Sequence, residues 1–121
     1  MGDPTQRFRV EFSSETSKEL RKLGHAAAAE ILAAIDKKLT VDPEAYGQPL
    51  RQDLKGYYKL AVGQWRVIYR VVNELVRVLI LAVGKRAEGD HENIYDQISG
   101  DELDQRRTDL EKSLKKATED D

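Results

Sequence analysis

The residues of this chain that could do chemistry on an anion are gathered in one stretch. Between Arg51 and Arg86 stand eight basic residues, Arg51, Lys55, Lys59, Arg66, Arg70, Arg77, Lys85 and Arg86, opposed only by Asp53 and Glu74. That excess of six positive charges lies in a chain of 121 residues whose formal net charge is −2. Cations concentrated inside a mildly acidic protein make an anion-binding surface, and the backbone of RNA or DNA is the first candidate ligand. Arginine suits two-pronged contact with phosphate, while lysine supplies a compact point charge. Other chemistries have less to draw on. Cysteine is absent, which excludes disulfides and thiolate chemistry. His25 and His91 lie far apart in sequence, so zinc is not expected, and no spaced carboxylate motif points to a hard metal. No metal and no cofactor is expected.

Positioning these cations requires strands. Residues 57–86 read as two successive β-hairpins: a strand over 57–62, a turn at Gly63-Gln64, a strand over 65–72, a turn at Asn73-Glu74, and a strand over 76–83. A two-residue turn sets the register, so Val62 faces Trp65 and Ala61 faces Arg66. Lys59, Ala61, Arg66 and Arg70 then share a polar face, with Lys59 and Arg66 diagonal neighbours roughly 7–8 Å apart at Cα. Tyr58, Leu60, Val62, Trp65, Val67 and Tyr69 form the other, apolar face, which should receive helices. The polar face reads either as a solvated surface with incidental charges or as a phosphate clamp, with Lys85 and Arg86 leaving the next strand beside it. That last strand is apolar on both faces apart from Arg77, which predicts a central place in the sheet.

Before the hairpins, RFRVEF (7–12) alternates as a short half-buried strand. Ser13 and Ser14 can cap a helix that runs to about Leu23, where Gly24 stops it in a left-handed conformation. A second, Ala-rich helix over 25–40 carries Ile31, Leu32, Ile35 and Leu39 at helical spacing, so the pair makes a helical hairpin with one apolar face. Asp42-Pro43 ends it, and Gly47, Pro49 and Gly56 mark a loop. The fold class is α+β: an N-terminal strand, a helical hairpin and a three-stranded antiparallel meander in one curved sheet.

Residues 99–121 differ in character, with five basic and eight acidic residues. Leu103, Leu110 and Leu114 predict a weakly amphipathic helix that frays at its end. Two readings stand: a solubilising helix, which is the plainer one, or an acidic segment that masks the basic sheet or docks on a partner. A 40% hydrophobic and 35% charged composition fits a water-soluble domain. The chain has no transmembrane-length apolar run and no secretory signal core, so no membrane association and a cytoplasmic location are expected.

The segments PLRQDLKGYYKLAVGQWRVIYRV and LILAVGKR carry a resemblance to the RelE/ParE superfamily of bacterial and archaeal toxins. They are similar to its Leu-Lys-Gly entry, its Tyr-basic-Leu strand, its aromatic-Arg-Val-Ile-Tyr strand and its closing Val-Gly-basic-Arg. The resemblance covers roughly 7–98, which implies a toxin domain over 1–98 and an acidic C-terminal extension over 99–121. It implies a RelE-like messenger-RNA interferase: a toxin of a type II toxin–antitoxin system that cuts messenger RNA in the ribosomal A site, inhibiting translation. The implied partners are a cognate RelB-like antitoxin, messenger RNA in the A site, and operator DNA reached through the antitoxin.

By the same resemblance Lys59, Arg66 and Arg86 hold the scissile phosphate and stabilise charge as the 2′-hydroxyl attacks, without a metal. Arg51, Lys55, Arg70 and Lys85 would contact the rest of the substrate. The resemblance assigns the general base to a tyrosine after the closing arginine, here Tyr95, although an unperturbed phenol near pKa 10 is a poor base and needs nearby cations. Tyr95 lies nine residues beyond Arg86, further than the family spacing. His91 lies five beyond it and titrates nearer neutrality, so it is the alternative base. Ala61 stands where many RelE-like ribonucleases carry another cation. These departures keep two alternatives open: a ParE-like toxin that binds DNA gyrase, and a non-toxic RelE homologue that binds antitoxin and takes part in operator regulation.

Overall fold

Alternation in RFRVEF does produce a strand, β1 (Arg9–Phe12), with Val10 and Phe12 turned towards the helices and Arg9 on the other side. The computed structural model describes residues 7–85 and 94–119. Ser13 caps α1 (Ser14–Leu23), its hydroxyl accepting from the Thr16 N–H at 3.1 Å. Thr16 and Leu20, one turn apart, are the buried residues of that helix. Gly24 then turns the chain with φ of 91°, a value that favours glycine, but its ψ of 167° is extended rather than left-handed helical. The second helix, α2 (His25–Ala34), continues through a wider π turn over Ile35–Leu39. Ile31, Ile35 and Leu39 are buried, whereas Leu32 at 41% exposure lies off the apolar stripe.

The connection expected as loop is more structured. Asp42 caps a short helix, α3 (Pro43–Tyr46), and β2 (Gln48–Pro49) pairs with the next strand. Gly47 is required here, because a Cβ would lie 1.7 Å from the Tyr69 hydroxyl, which donates to the Pro43 carbonyl at 2.6 Å.

The hairpins form β3 (Tyr58–Val62), β4 (Trp65–Val72) and β5 (Arg77–Lys85). Gly63 takes a φ of 58° at the first central position of the turn, and Val62 faces Trp65 and Ala61 faces Arg66 as the two-residue turn demands. The second turn differs from the expected Asn73-Glu74. Asn73–Leu75 make a 3₁₀ turn and Val76 adopts a left-handed conformation, so β5 starts at Arg77 and runs to Lys85. Among the described residues the sheet has five strands in the order β1-β5-β4-β3-β2, with β1 parallel to β5 and the other pairs antiparallel. Strand β5 is not the middle strand but an interior one, flanked by β1 and β4, which suits its apolar character on both sides.

Both faces of the sheet are covered. On the first, Leu20, Ile31, Ile35 and Leu39 pack against Leu60, Val62, Val67, Tyr69, Val78 and Ile80. The second face carries Lys59, Ala61, Arg66 and Arg70, yet it is not the uniformly polar surface the hairpin pattern suggests. A bulge between Ile68 and Tyr69 leaves Leu81 as an extra residue on β5. Tyr57, Ile68, Leu79, Leu81 and Ala82 are buried on this side beneath α4 (Ile94–Gln97) and α5 (Gly100–Glu119). The C-terminal helix is therefore more than a solubilising appendage, because Leu103 is fully buried and Leu110 and Leu114 pack beside it. The polar reading came from β3 and β4 alone; the apolar second side of β5 is what needs the cover. No helix among the described residues is long and apolar enough to cross a membrane.

Candidate functional site

Lys59 and Tyr95 meet at the hairpin end of the second face. Lys59 projects from β3, half-buried, and its Nζ lies 5.4 Å from the centroid of the Tyr95 ring. Tyr95 arrives on α4, which approaches the sheet because Gly84 of β5 has no side chain. A Cβ at position 84 would lie 2.7 Å from Ile94 Cδ1 and 3.0 Å from its Cβ. The Tyr95 hydroxyl is enclosed.

Arg66 stands diagonally across from Lys59, since Lys59 pairs with Ile68 and Ala61 with Arg66. Its guanidinium folds over the hairpin turn, with Nη1 donating to the carbonyls of Gly63 and Trp65, both at 2.8 Å. Two of its five donors are thus used by the turn that positions it. Ala61 is exposed opposite Arg66, so a third cation is missing from that position. Arg86 and His91 lie outside the described residues.

The other expected contacts are dispersed. Arg70 shares the second face but stacks over Tyr57, its guanidinium carbon 5.6 Å from the ring centroid. Arg51 and Lys55 are exposed at either end of the 3₁₀ turn Gln52–Leu54. Lys85 is exposed and pairs with Trp65, on the opposite side of the sheet from Lys59 and Arg66. Lys59 and Tyr95 are brought together, while Arg66 is a diagonal strand neighbour of Lys59 whose guanidinium lies over the hairpin turn; Arg51, Lys55, Arg70 and Lys85 lie at dispersed positions.

Hairpin pairing does not reveal the polar cluster that borders this site. The Tyr57 hydroxyl donates to Asp104 and accepts from Arg107 Nε at 3.3 Å. Burial, and then the hydrogen bond to Asp104, push the Tyr57 phenol above its ordinary range. The bond to Tyr57 in turn raises Arg107, which also reaches Glu111 at 3.3 Å. A second cluster closes the β5 edge beyond the end of β1. Glu19 of α1 accepts from the Val83 N–H at 3.0 Å, and Arg106 bonds both Glu19 at 3.1 Å and the Leu81 carbonyl at 2.9 Å. Charged side chains from α1 and α5 there satisfy backbone groups that no strand reaches. The signal for both clusters was present as Arg106 and Arg107 beside carboxylates at i±3 and i±4.

A family model for the ParE toxin of type II toxin–antitoxin systems (parDE) matches residues 10–90. Toxin RelG of Mycobacterium tuberculosis is 31% identical over 81 residues, spanning 67% of this chain and 93% of that protein. Toxin RelE of the same organism is 28% identical over 80 residues, spanning 66% of this chain and 82% of its own. Among solved structures, the toxin–antitoxin complex RelBE2 of M. tuberculosis superposes with a TM-score of 0.65 at 30% identity, over 72% of this chain and all of the matched chain. The archaeal RelE–RelB complex of Pyrococcus horikoshii gives 0.54 at 26%, over 68% and 98%. The two hairpins, the glycine-lined seat of α4 and the cations of the second face thus lie in a chain that belongs to the ParE toxin family of the RelE/ParE superfamily, a toxin of a type II toxin–antitoxin system.

Proposed function

We propose that the toxin is a metal-independent, ribosome-dependent messenger-RNA endoribonuclease of the RelE kind, acting in the cytoplasm. The observation that carries this reading is the juxtaposition of Lys59 with the Tyr95 ring, beside Arg66, on one face of the sheet. Cleavage by 2′-hydroxyl attack builds negative charge on a five-coordinate phosphorus. Fixed cations aimed at that charge stabilise it most where water is thinned out. Lys59 and Arg66 would hold the phosphate with Arg86, which also closes the set as proton donor to the leaving 5′-oxygen. Tyr95 would take the 2′-hydroxyl proton, with the Lys59 ammonium 5.4 Å from its ring centroid. His91 remains the alternative base. Arg51, Lys55, Arg70 and Lys85 would steer the rest of the message.

The relatives' complexes support a RelB-like antitoxin as partner; operator DNA would be reached through that antitoxin. An acidic segment that folds onto the basic face would bind less tightly as salt is added. The test is induced expression with each of Lys59→Ala, Arg66→Ala, Arg86→Ala and Tyr95→Phe, followed by primer extension on ribosome-bound message. The expected result is loss of growth arrest and of A-site cleavage, with circular dichroism unchanged. Undiminished cleavage in all four sinks the assignment.

Ala61, exposed opposite Arg66, leaves the site short of a cation and favours readings without the chemistry, either a non-toxic homologue or a toxin that binds gyrase. Failed supercoiling and DNA-damage signalling with translation intact would establish the gyrase reading. Absence of any growth arrest would point instead to a non-toxic homologue kept for antitoxin binding and operator regulation.

A further inference from the structure

We propose that α5 is the clamp that holds Tyr95 against Lys59, with Gly100 and Leu103 as its positioning residues. The inference rests on the reading of Lys59 and Tyr95 as one site, and it deepens that reading by assigning a role to a helix outside the family match at 10–90.

Helix α4, which carries Tyr95, has four residues. Isolated helices shorter than about 12–15 residues are marginal in water, so neighbours must hold this one in place. On one side Ile94 sits directly on Gly84. On the other, Ile98 at 7% exposure packs in the same cluster as the fully buried Leu103 of α5. Strand β5 supplies the floor and α5 supplies the wall.

Three features fix α5 where that wall is needed. Gly100 starts the helix so close to the turn before β3 that a Cβ there would lie 2.1 Å from the Asp53 carbonyl oxygen. Leu103 enters the cluster of Ile68, Leu79, Leu81 and Ala82. Asp104 and Arg107 grip the Tyr57 hydroxyl from the two ends of one helical turn. Tyr57 itself directly precedes β3, two residues before Lys59 and on the same face. The clamp therefore engages the residue that leads into the strand bearing Lys59 and packs in one cluster with the residue that follows the short helix bearing Tyr95, and through them it sets their separation.

The test uses the full-length chain. A lysine side chain close to an aromatic ring gives displaced methylene signals in NMR, and those of Lys59 can be assigned by their loss in Lys59→Arg. Gly100→Ala must push the start of α5 away from the turn. The expected result is collapse of the Lys59 displacement towards that of an exposed lysine, with circular dichroism retained. Message cleavage at saturating ribosomes should fall about a hundredfold while the half-saturating concentration stays put, the pattern of misplaced groups rather than lost binding. Tyr57→Phe keeps the packing and removes only the polar grip, so it should move both readouts in the same direction by less. It serves as the test if Gly100→Ala does not fold. A Lys59 signal unchanged in the folded variants overturns the proposal, and so does cleavage unchanged when the signal has collapsed. If wild-type protein cleaves no message yet the signal collapses in Gly100→Ala, the nuclease reading fails and the clamp stands.

Discussion

The two faces of the sheet are covered by different means. The first meets α1 and α2 chiefly through aliphatic side chains and Tyr69, whose hydroxyl is satisfied locally by the Pro43 carbonyl, with the buried Thr16 hydroxyl donating to the Ile80 carbonyl at 3.1 Å. The second meets α4 and α5 through a smaller apolar cluster, flanked by Tyr57–Asp104–Arg107 and by Glu19–Arg106. A mainly apolar contact is less sensitive to direction and serves to hold the fold. A contact bounded by hydrogen-bonded charge fixes orientation, since those groups are costly to bury unless their partners are in place. The first face is suited to stability, and the second to fixing how α4 and α5 lie on the sheet.

The largest difference should appear on the first face. Ile31 is fully buried there, and Ile31→Ala should cost about 2–5 kcal/mol in urea unfolding through lost burial and a cavity. In the folded fraction, the Lys59–Tyr95 contact should survive. If the contact is lost as well, the two faces are not separable.

Arg106→Ala probes the second face. Its side chain is 12% exposed, and its removal leaves the Leu81 carbonyl and Glu19 short of a donor. A cost of about 1–3 kcal/mol is expected, as for an unsatisfied buried group. Hydrogen exchange should rise first in α5 rather than in α1 or α2. A loss below about 0.5 kcal/mol would show that the polar rim holds nothing.

The smallest effect is tied to pH. The Tyr57, Tyr58 and Tyr69 phenols are all raised above their ordinary value of 10.0, with burial as the leading cause for each. The folded chain therefore keeps these protons where the unfolded chain has released them. The associated stability is complete below pH 10 or so and is lost as pH climbs through the folded values. Tyr57→Phe should cost about 0.5–1.5 kcal/mol near neutrality and flatten part of the alkaline decline. An alkaline decline as steep as wild type would assign it to Tyr58 and Tyr69.

How much of this was legible beforehand depended on the range of the interaction. The Gly63-Gln64 turn specified the pairing of Ala61 with Arg66, and the β4 limits followed from the same local alternation. Ser13 and Gly24 marked the ends of α1 because capping acts within four residues. The second face was misjudged because a bulge at Ile68/Tyr69 has no mark of its own in the sequence, and because what covers β5 lies about twenty residues further along the chain. Gly84 could be read as part of a Val-Gly-Lys ending, but its reason is Ile94, and no spacing rule connects them.

By itself, the sequence determined the local geometry: which residues alternate, where the first hairpin turns, and that Lys59, Arg66 and Arg70 emerge on one side. Those outcomes depend on backbone sterics and on a period of two, which neighbouring residues settle among themselves. Only the tertiary structure decided that Lys85 faces away, that Arg70 lies over Tyr57, and that Tyr95 comes to rest beside Lys59. The first depends on the bulge in the β4–β5 pairing, and the place of Tyr95 on how closely α4 can approach β5 at Gly84.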